Sequence, residues 1–126
     1  MAGESILVVD DNLINLKLVK VLLSVEGYEV HTATDATETL DLLTTLKPRL
    51  ILMDIQLPGM DGLALTKKIK NNPKYQDVKI IALTAYAMKG DREKILAAGC
   101  DGYIAKPIDT ELLPKLIERY LQDQKV

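Results

Sequence analysis

Apolar residues fall into two kinds of run along this chain. Residues 5–10, 50–53, 78–83 and 102–105 hold short unbroken apolar stretches without polar alternation. Such stretches read as strands buried on both faces, as in a parallel sheet. Residues 29–33 alternate and are only modestly apolar, which suits a strand at a sheet edge. Between the strands the spacing turns helical. Leu13, Leu16, Val19, Leu22 and Leu23 form one set, and Leu40, Leu42, Leu43 and Leu46 a second. Helices are also predicted over about 63–71 and 88–98. The last helix carries Leu112, Leu113, Leu116, Ile117, Tyr120 and Leu121 as one stripe of 3.6-residue period. Strand and helix alternate about five times, which predicts an α/β fold: a doubly wound, flavodoxin-like parallel sheet with helices on both faces and right-handed crossovers.

Local signals mark the element ends. Asp11 or Asn12 can cap the first helix, and Gly27 stands where a left-handed residue closes it. Asp35-Ala36-Thr37-Glu38 has the spacing of a capping box, with Asp in place of Ser or Thr. Pro48 is expected to stop the second helix and Asn71-Asn72-Pro73 the third, and Gly99 closes the fourth. Asp109 is expected to cap the last helix. Pro114 removes a backbone donor near its start, so either the first turn is irregular or the helix begins later.

Composition narrows the class. With 126 residues the chain fits one domain, expected to span 1–126 without an output domain. A formal net charge of −2 offers no basic field for nucleic acid. One cysteine allows no internal disulfide and suggests no zinc site. No apolar run approaches the roughly 20 residues of a membrane helix, and residues 1–5 lack the pattern of a signal peptide. The expectation is a cytoplasmic protein without membrane or nucleic-acid partners.

Candidate chemistry lies at the strand ends. Asp10 and Asp11 follow the first strand, Asp54 the third, Thr84 the fourth and Lys106 the fifth. In parallel strands these ends share one sheet edge, and strand order 2-1-3-4-5 makes strands one and three neighbours at the topological switch point. Asp10, Asp11 and Asp54 would then crowd together. Crowded carboxylates either raise a pKa or take a hard divalent cation, and oxygen ligands with open water positions suit Mg²⁺. Lys106 adds a positive charge and Thr84 a hydroxyl, completing a set suited to phosphoryl transfer. Singly, each has a plainer role as helix cap, turn hydroxyl or solvated lysine. The joint pattern is far more specific.

The segments Val8-Val9-Asp10-Asp11-Asn12, residues 53–62 around Asp54, Leu83-Thr84-Ala85 and Gly102-Tyr103-Ile104-Ala105-Lys106-Pro107 resemble the receiver domain of two-component response regulators. The likeness covers essentially the whole chain. Asp11-Asn12-x-x-Asn15 and residues 84–91 look most like single-domain cell-cycle regulators and hybrid-kinase receivers. This resemblance implies that Asp54 accepts a phosphoryl group from a phosphohistidine on a histidine kinase or phosphotransfer protein. It implies Mg²⁺ held by Asp10, Asp11, Asp54 and the Gln56 carbonyl, and Lys106 paired with the phosphoryl group before a cis Lys106-Pro107 bond. Thr84, with Ala85 beside it, and Tyr103 would form the switch. A downstream protein would read the fourth helix, fifth strand and fifth helix, with Met88, Lys89, Tyr103 and Tyr120 as candidate contacts. Core packing is the preferred role for Tyr120. Bulky Tyr86 would alter water access to the site. The protein would assist its own phosphorylation without being a turnover enzyme.

Three other readings compete. A Mg²⁺-dependent phosphatase of the haloacid dehalogenase type would want Asp-x-Asp and a cap insertion, a flavin binder a Ser/Thr-rich first loop, and a degenerate receiver would lack a key group. His31 is expected to be solvated on an edge strand, and Cys100 to pack in a loop rather than act as a nucleophile.

Overall fold

Leu50–Asp54 forms the central strand, β3, because nothing in it is polar before its last position, and all five residues are buried. The computed structural model describes residues 3–57, 59–85 and 89–122, with Lys89 described through its backbone alone. The other strands are β1 (Ser5–Val9), β2 (Glu29–Ala33), β4 (Lys79–Thr84) and β5 (Gly102–Ala105). They form one parallel sheet in the order β2-β1-β3-β4-β5. The helices are α1 (Leu13–Val25), α2 (Ala36–Leu43), α3 (Gly62–Lys70), α4 (Lys89–Ala97) and α5 (Leu112–Gln122), with a 3-10 turn at Pro73–Tyr75.

Side chains alternate across each strand, so a doubly covered sheet has two cores. Ile6, Val8, Leu50, Leu52, Ile81 and Leu83 pack with Leu16, Val19 and Leu23 of α1 and Leu113, Ile117 and Leu121 of α5. Leu7, Val9, Ile51, Met53, Ile80 and Ala82 face the other way, against Leu43, Leu65, Ile69 and Ile95 of α2, α3 and α4. Both faces are dry, and that is why these runs lack polar alternation. Edge strand β2 is buried only at Ala33.

Several boundaries resolve the open points of the sequence. Asn12 caps α1, its Oδ1 accepting the N–H groups of Ile14 (2.9 Å) and Asn15 (3.1 Å), while Asp11 stays exposed. Gly27 has φ +96° beyond the end of that helix. Leu13, expected on the buried stripe, is instead 69% exposed, because it occupies the first turn beyond the sheet's reach. Helix α2 ends at Leu43, short of Leu46 and well before Pro48. Thr44 and Thr45 bond three residues back, and the Thr44 hydroxyl donates to the Asp41 carbonyl at 2.6 Å, tightening the last turn. The Asp35 carboxylate accepts the Glu38 N–H at 2.8 Å, whereas the Glu38 carboxylate reaches back to Thr34 N–H at 2.6 Å, one residue beyond a regular capping box. Asp109 does cap the last helix, accepting from Glu111 and Leu112. Leu113 N–H already donates to the Asp109 carbonyl at 2.9 Å, and Pro114, with no N–H, cannot make the next such bond, so the first turn is irregular and regular helix begins only at Leu112. Tyr120 is half-buried against the core under α1 and α5, and its hydroxyl donates to the Tyr103 carbonyl at 3.3 Å.

The loop after β3 closes tightly. Gly62 N–H donates to the Ile55 carbonyl at 2.9 Å, and a Cβ on Gly62 would lie 2.2 Å from the Asp54 carbonyl oxygen and 2.6 Å from Ile55 Cα. Pro58 lies outside the described residues. Backbone cannot yield as a flexible side chain would, so Gly62→Ala is expected to cost about 1–3 kcal/mol of unfolding free energy in urea titration. By contrast, Gly90→Ala in α4 meets open space and should be neutral or gain about 0.5–1 kcal/mol. Equal midpoints for the two variants would contradict the tight approach.

Candidate functional site

The carboxyl ends of β1 and β3 lie side by side, since Val9 pairs with Met53. One residue further on, Asp10 and Asp54 meet, each almost fully buried, while Asp11 faces solvent. Oxygens from Asp10, Asp11 and Asp54 all come within 4.8 Å of one another. Lys106, directly after β5, enters from the far side: its Nζ is 3.2 Å from Asp54 Oδ2 and 3.8 Å from Asp10 Oδ2. Backbone donors fix the remaining oxygens. Asn12 N–H donates to Asp10 Oδ1 at 2.9 Å and Gln56 N–H to Asp54 Oδ1 at 3.0 Å.

Burial pushes the Asp10 carboxyl above the usual carboxylate range. The nearby Asp54 charge adds to the rise, while the Asn12 N–H and Lys106 oppose it. Three acids face one ammonium here, and Lys106 offsets the rise at Asp10 without cancelling it. A clustered set of hard oxygen donors beside open solvent is the chemistry a Mg²⁺ ion requires, so these residues fit such an ion.

Other expected site residues lie around this cluster. Thr84 is buried at the end of β4, one position beyond the Asp54 partner Leu83, and its carbonyl accepts the Lys106 N–H at 2.8 Å. Ala85 next to it is exposed, and Lys106-Pro107 is cis. Gln56 bonds the Asp54 carboxylate through its N–H, whereas the sequence singled out its carbonyl. Tyr103 is not brought into the cluster. It is half-buried on β5, and its hydroxyl accepts from Arg92 Nη1 of α4 at 3.3 Å. Sequence reasoning missed Arg92, which has no motif to mark it. Tyr86 and Met88 lie outside the described residues, as does the Lys89 side chain.

His31 on edge strand β2 is partly exposed and bonds the Glu29 carboxylate at 2.8 Å. Cys100 is buried, with its thiol pushed up to about 11 by desolvation, and so packs rather than reacts. No described helix is long and apolar enough to cross a membrane.

A parallel sheet covered by helices on both faces, with acids, a threonine and a lysine at its carboxyl edge, defines the receiver class. Residues 6–118 match the response regulator receiver domain, and the chain belongs to that family. Among its relatives, the polar-differentiation response regulator DivK of Brucella anthropi is 43% identical over 120 residues, spanning 95% of this chain and 98% of that protein. The receiver domain of the sensor histidine kinase PA1611 from Pseudomonas aeruginosa PAO1 was solved with a magnesium ion coordinated in its active-site cleft. It superposes with a TM-score of 0.87 at 36% identity, over 97% of this chain and 100% of that one. The chemotaxis response regulator CheY4 of Vibrio cholerae gives a TM-score of 0.89 at 29% identity, over 94% and 98%. The protein is thus a phosphoaccepting switch of the two-component type, from a signalling family rather than a family of turnover enzymes. The phosphatase alternative finds no support in these likenesses.

The raised Asp10 pKa carries a sign. An acid whose folded pKa exceeds its unfolded one stabilises the fold when protonated, and that contribution is lost as pH rises through the raised value. In chelator-treated protein at pH 7, Asp10→Asn is expected to raise unfolding free energy and to flatten its fall over the pH range that opens at the ordinary carboxylate value of 3.8. Urea midpoints lower than wild type across that range would contradict this.

Proposed function

We propose that Asp54 is the phosphoacceptor and that its partner is a phosphohistidine-bearing kinase or phosphotransfer protein. The observation that carries this reading is the 3.2 Å approach of Lys106 to the buried Asp54 carboxylate, within a cluster of three acids. An Asp54 oxygen attacks phosphorus, the phosphorus–nitrogen bond of the donor breaks, and its electron pair returns to the imidazole. Gln56 N–H holds the other Asp54 oxygen, Oδ1, at 3.0 Å. Asp10, Asp11, Asp54 and the Gln56 carbonyl would hold Mg²⁺, which when bound supplies positive charge for the acids and the phosphoryl oxygens. Lys106 exchanges its carboxylate contacts for a phosphoryl oxygen, and the Thr84 hydroxyl donates to another. Acting from the cytoplasm, the protein takes up the group, holds it and loses it to water.

A surface for the donor adjoins the site. Leu13, Ile14, Leu18, Val21 and Val25 are exposed on α1, and the strip starts immediately after Asn12 above Asp10. An apolar strip this long is unusual on a lone domain and suits a protein partner. Output is read on α4, β5 and α5, where Leu96 is exposed and the exposed Leu112 lines a hollow with Tyr103.

Inverting a 1:99 equilibrium needs about 5.5 kcal/mol. One ammonium contact at roughly 1.5–3 kcal/mol and one hydroxyl bond at roughly 0.5–1.5 kcal/mol approach that without reaching it. Phosphorylation alone is therefore expected to shift the population in part, and partner binding to complete it. Two sets of amide resonances, or averaged shifts, should persist in the phosphorylated protein; complete inversion without a partner would contradict the arithmetic. Acetyl phosphate with Mg²⁺ should add one hydroxylamine-sensitive phosphoryl group by mass spectrometry, and Asp54→Asn should abolish it. Labelling that survives in Asp54→Asn would overturn the assignment.

A further inference from the structure

Asn15 is the one side chain of the first α1 turn that turns back to the acid cluster. Residues 11–14 are exposed, whereas Asn15 is half-buried and its Nδ2 lies 3.5 Å from Asp10 Oδ2. Two further bonds set that position. The Asn12 side chain accepts the Asn15 N–H at 3.1 Å, and the Asn12 N–H donates to Asp10 Oδ1 at 2.9 Å. Asp10 is thereby gripped at both oxygens from one helix turn, with Lys106 the other neighbour of Oδ2 at 3.8 Å.

Residue chemistry explains why an amide suits this place. A buried carboxylate needs donors to hold its orientation. A second lysine or arginine would supply them but would repel a divalent cation, and a carboxylate would supply none. Asparagine donates without adding charge.

We propose that Asn15 is a positioning residue that orients the Asp10 carboxylate for Mg²⁺. Partners behind a metal ligand typically set affinity by roughly ten- to a hundredfold, and this single long contact lies at the low end of that range. The inference rests on the phosphoacceptor reading above, so wild-type Mg²⁺ binding is its first control.

The experiment is a Mg²⁺ titration followed by amide chemical shifts, on wild type, Asn15→Leu and Asn15→Ala, with urea midpoints of the metal-free proteins alongside. Both variants should bind Mg²⁺ about tenfold more weakly, with metal-free midpoints close to wild type. Unchanged affinity in a folded variant overturns the role of Asn15 and leaves the phosphoacceptor reading intact. Loss of folding in both variants would make Asn15 a structural residue and likewise overturn the proposal. Absence of Mg²⁺ binding by wild type would instead sink the reading on which the proposal rests.

Discussion

Mutual repulsion among three carboxylates is the constraint around which this molecule is built. Asp10, Asp11 and Asp54 crowd within 4.8 Å, two of them buried, and a fold tolerates that only if something of opposite charge is held against them. Lys106 supplies one such charge at 3.2 Å from Asp54, and burial still holds the Asp10 carboxyl above its ordinary range. The unbalanced charge is stored by the rest of the fold. A parallel sheet dry on both faces fixes the strand ends, so the acids cannot drift apart to relieve it.

The same constraint links stability to signalling. Groups that restrain the acids, namely the Asn12 and Gln56 N–H bonds and the close approach of Gly62, are backbone features of the loops after β1 and β3. The side chains proposed to change partner, Lys106 and Thr84, come from the other half of the sheet. A rigid half facing a responsive half is a workable basis for a switch. The Arg92–Tyr103 contact joins that responsive half to α4, which carries a single large buried apolar residue, Ile95.

Much of this was legible in the chain itself, for a physical reason. Burial on both faces erases polar alternation, so residues 50–53 declared a central parallel strand, and the acid after it declared the edge where chemistry collects. Asp10, Asp11, Asp54 and Lys106 meet as that reading required. Helix ends were less legible: α2 stops at Leu43 because threonine hydroxyl and 3-10 bonding end it before Pro48 can. Leu13 misled because periodicity marks a face without saying where along the helix the sheet runs out. Arg92 carried no motif, and the Asp11-Asn12-x-x-Asn15 spacing marked a resemblance without showing that the Asn15 amide reaches the Asp10 carboxylate, which depends on how the loop after β1 turns into α1.

The central claim is that the acid cluster is held at a cost which a divalent cation relieves, so thermal unfolding across a Mg²⁺ titration tests it most directly. Anything that binds the folded state alone stabilises it as RT ln(1 + [L]/Kd), roughly 2.7 kcal/mol at a hundredfold excess over Kd. The midpoint should climb steadily from chelator into millimolar MgCl₂ and far exceed the response to KCl of equal ionic strength. A midpoint that stays level with added Mg²⁺, or moves equally with KCl, would contradict the account.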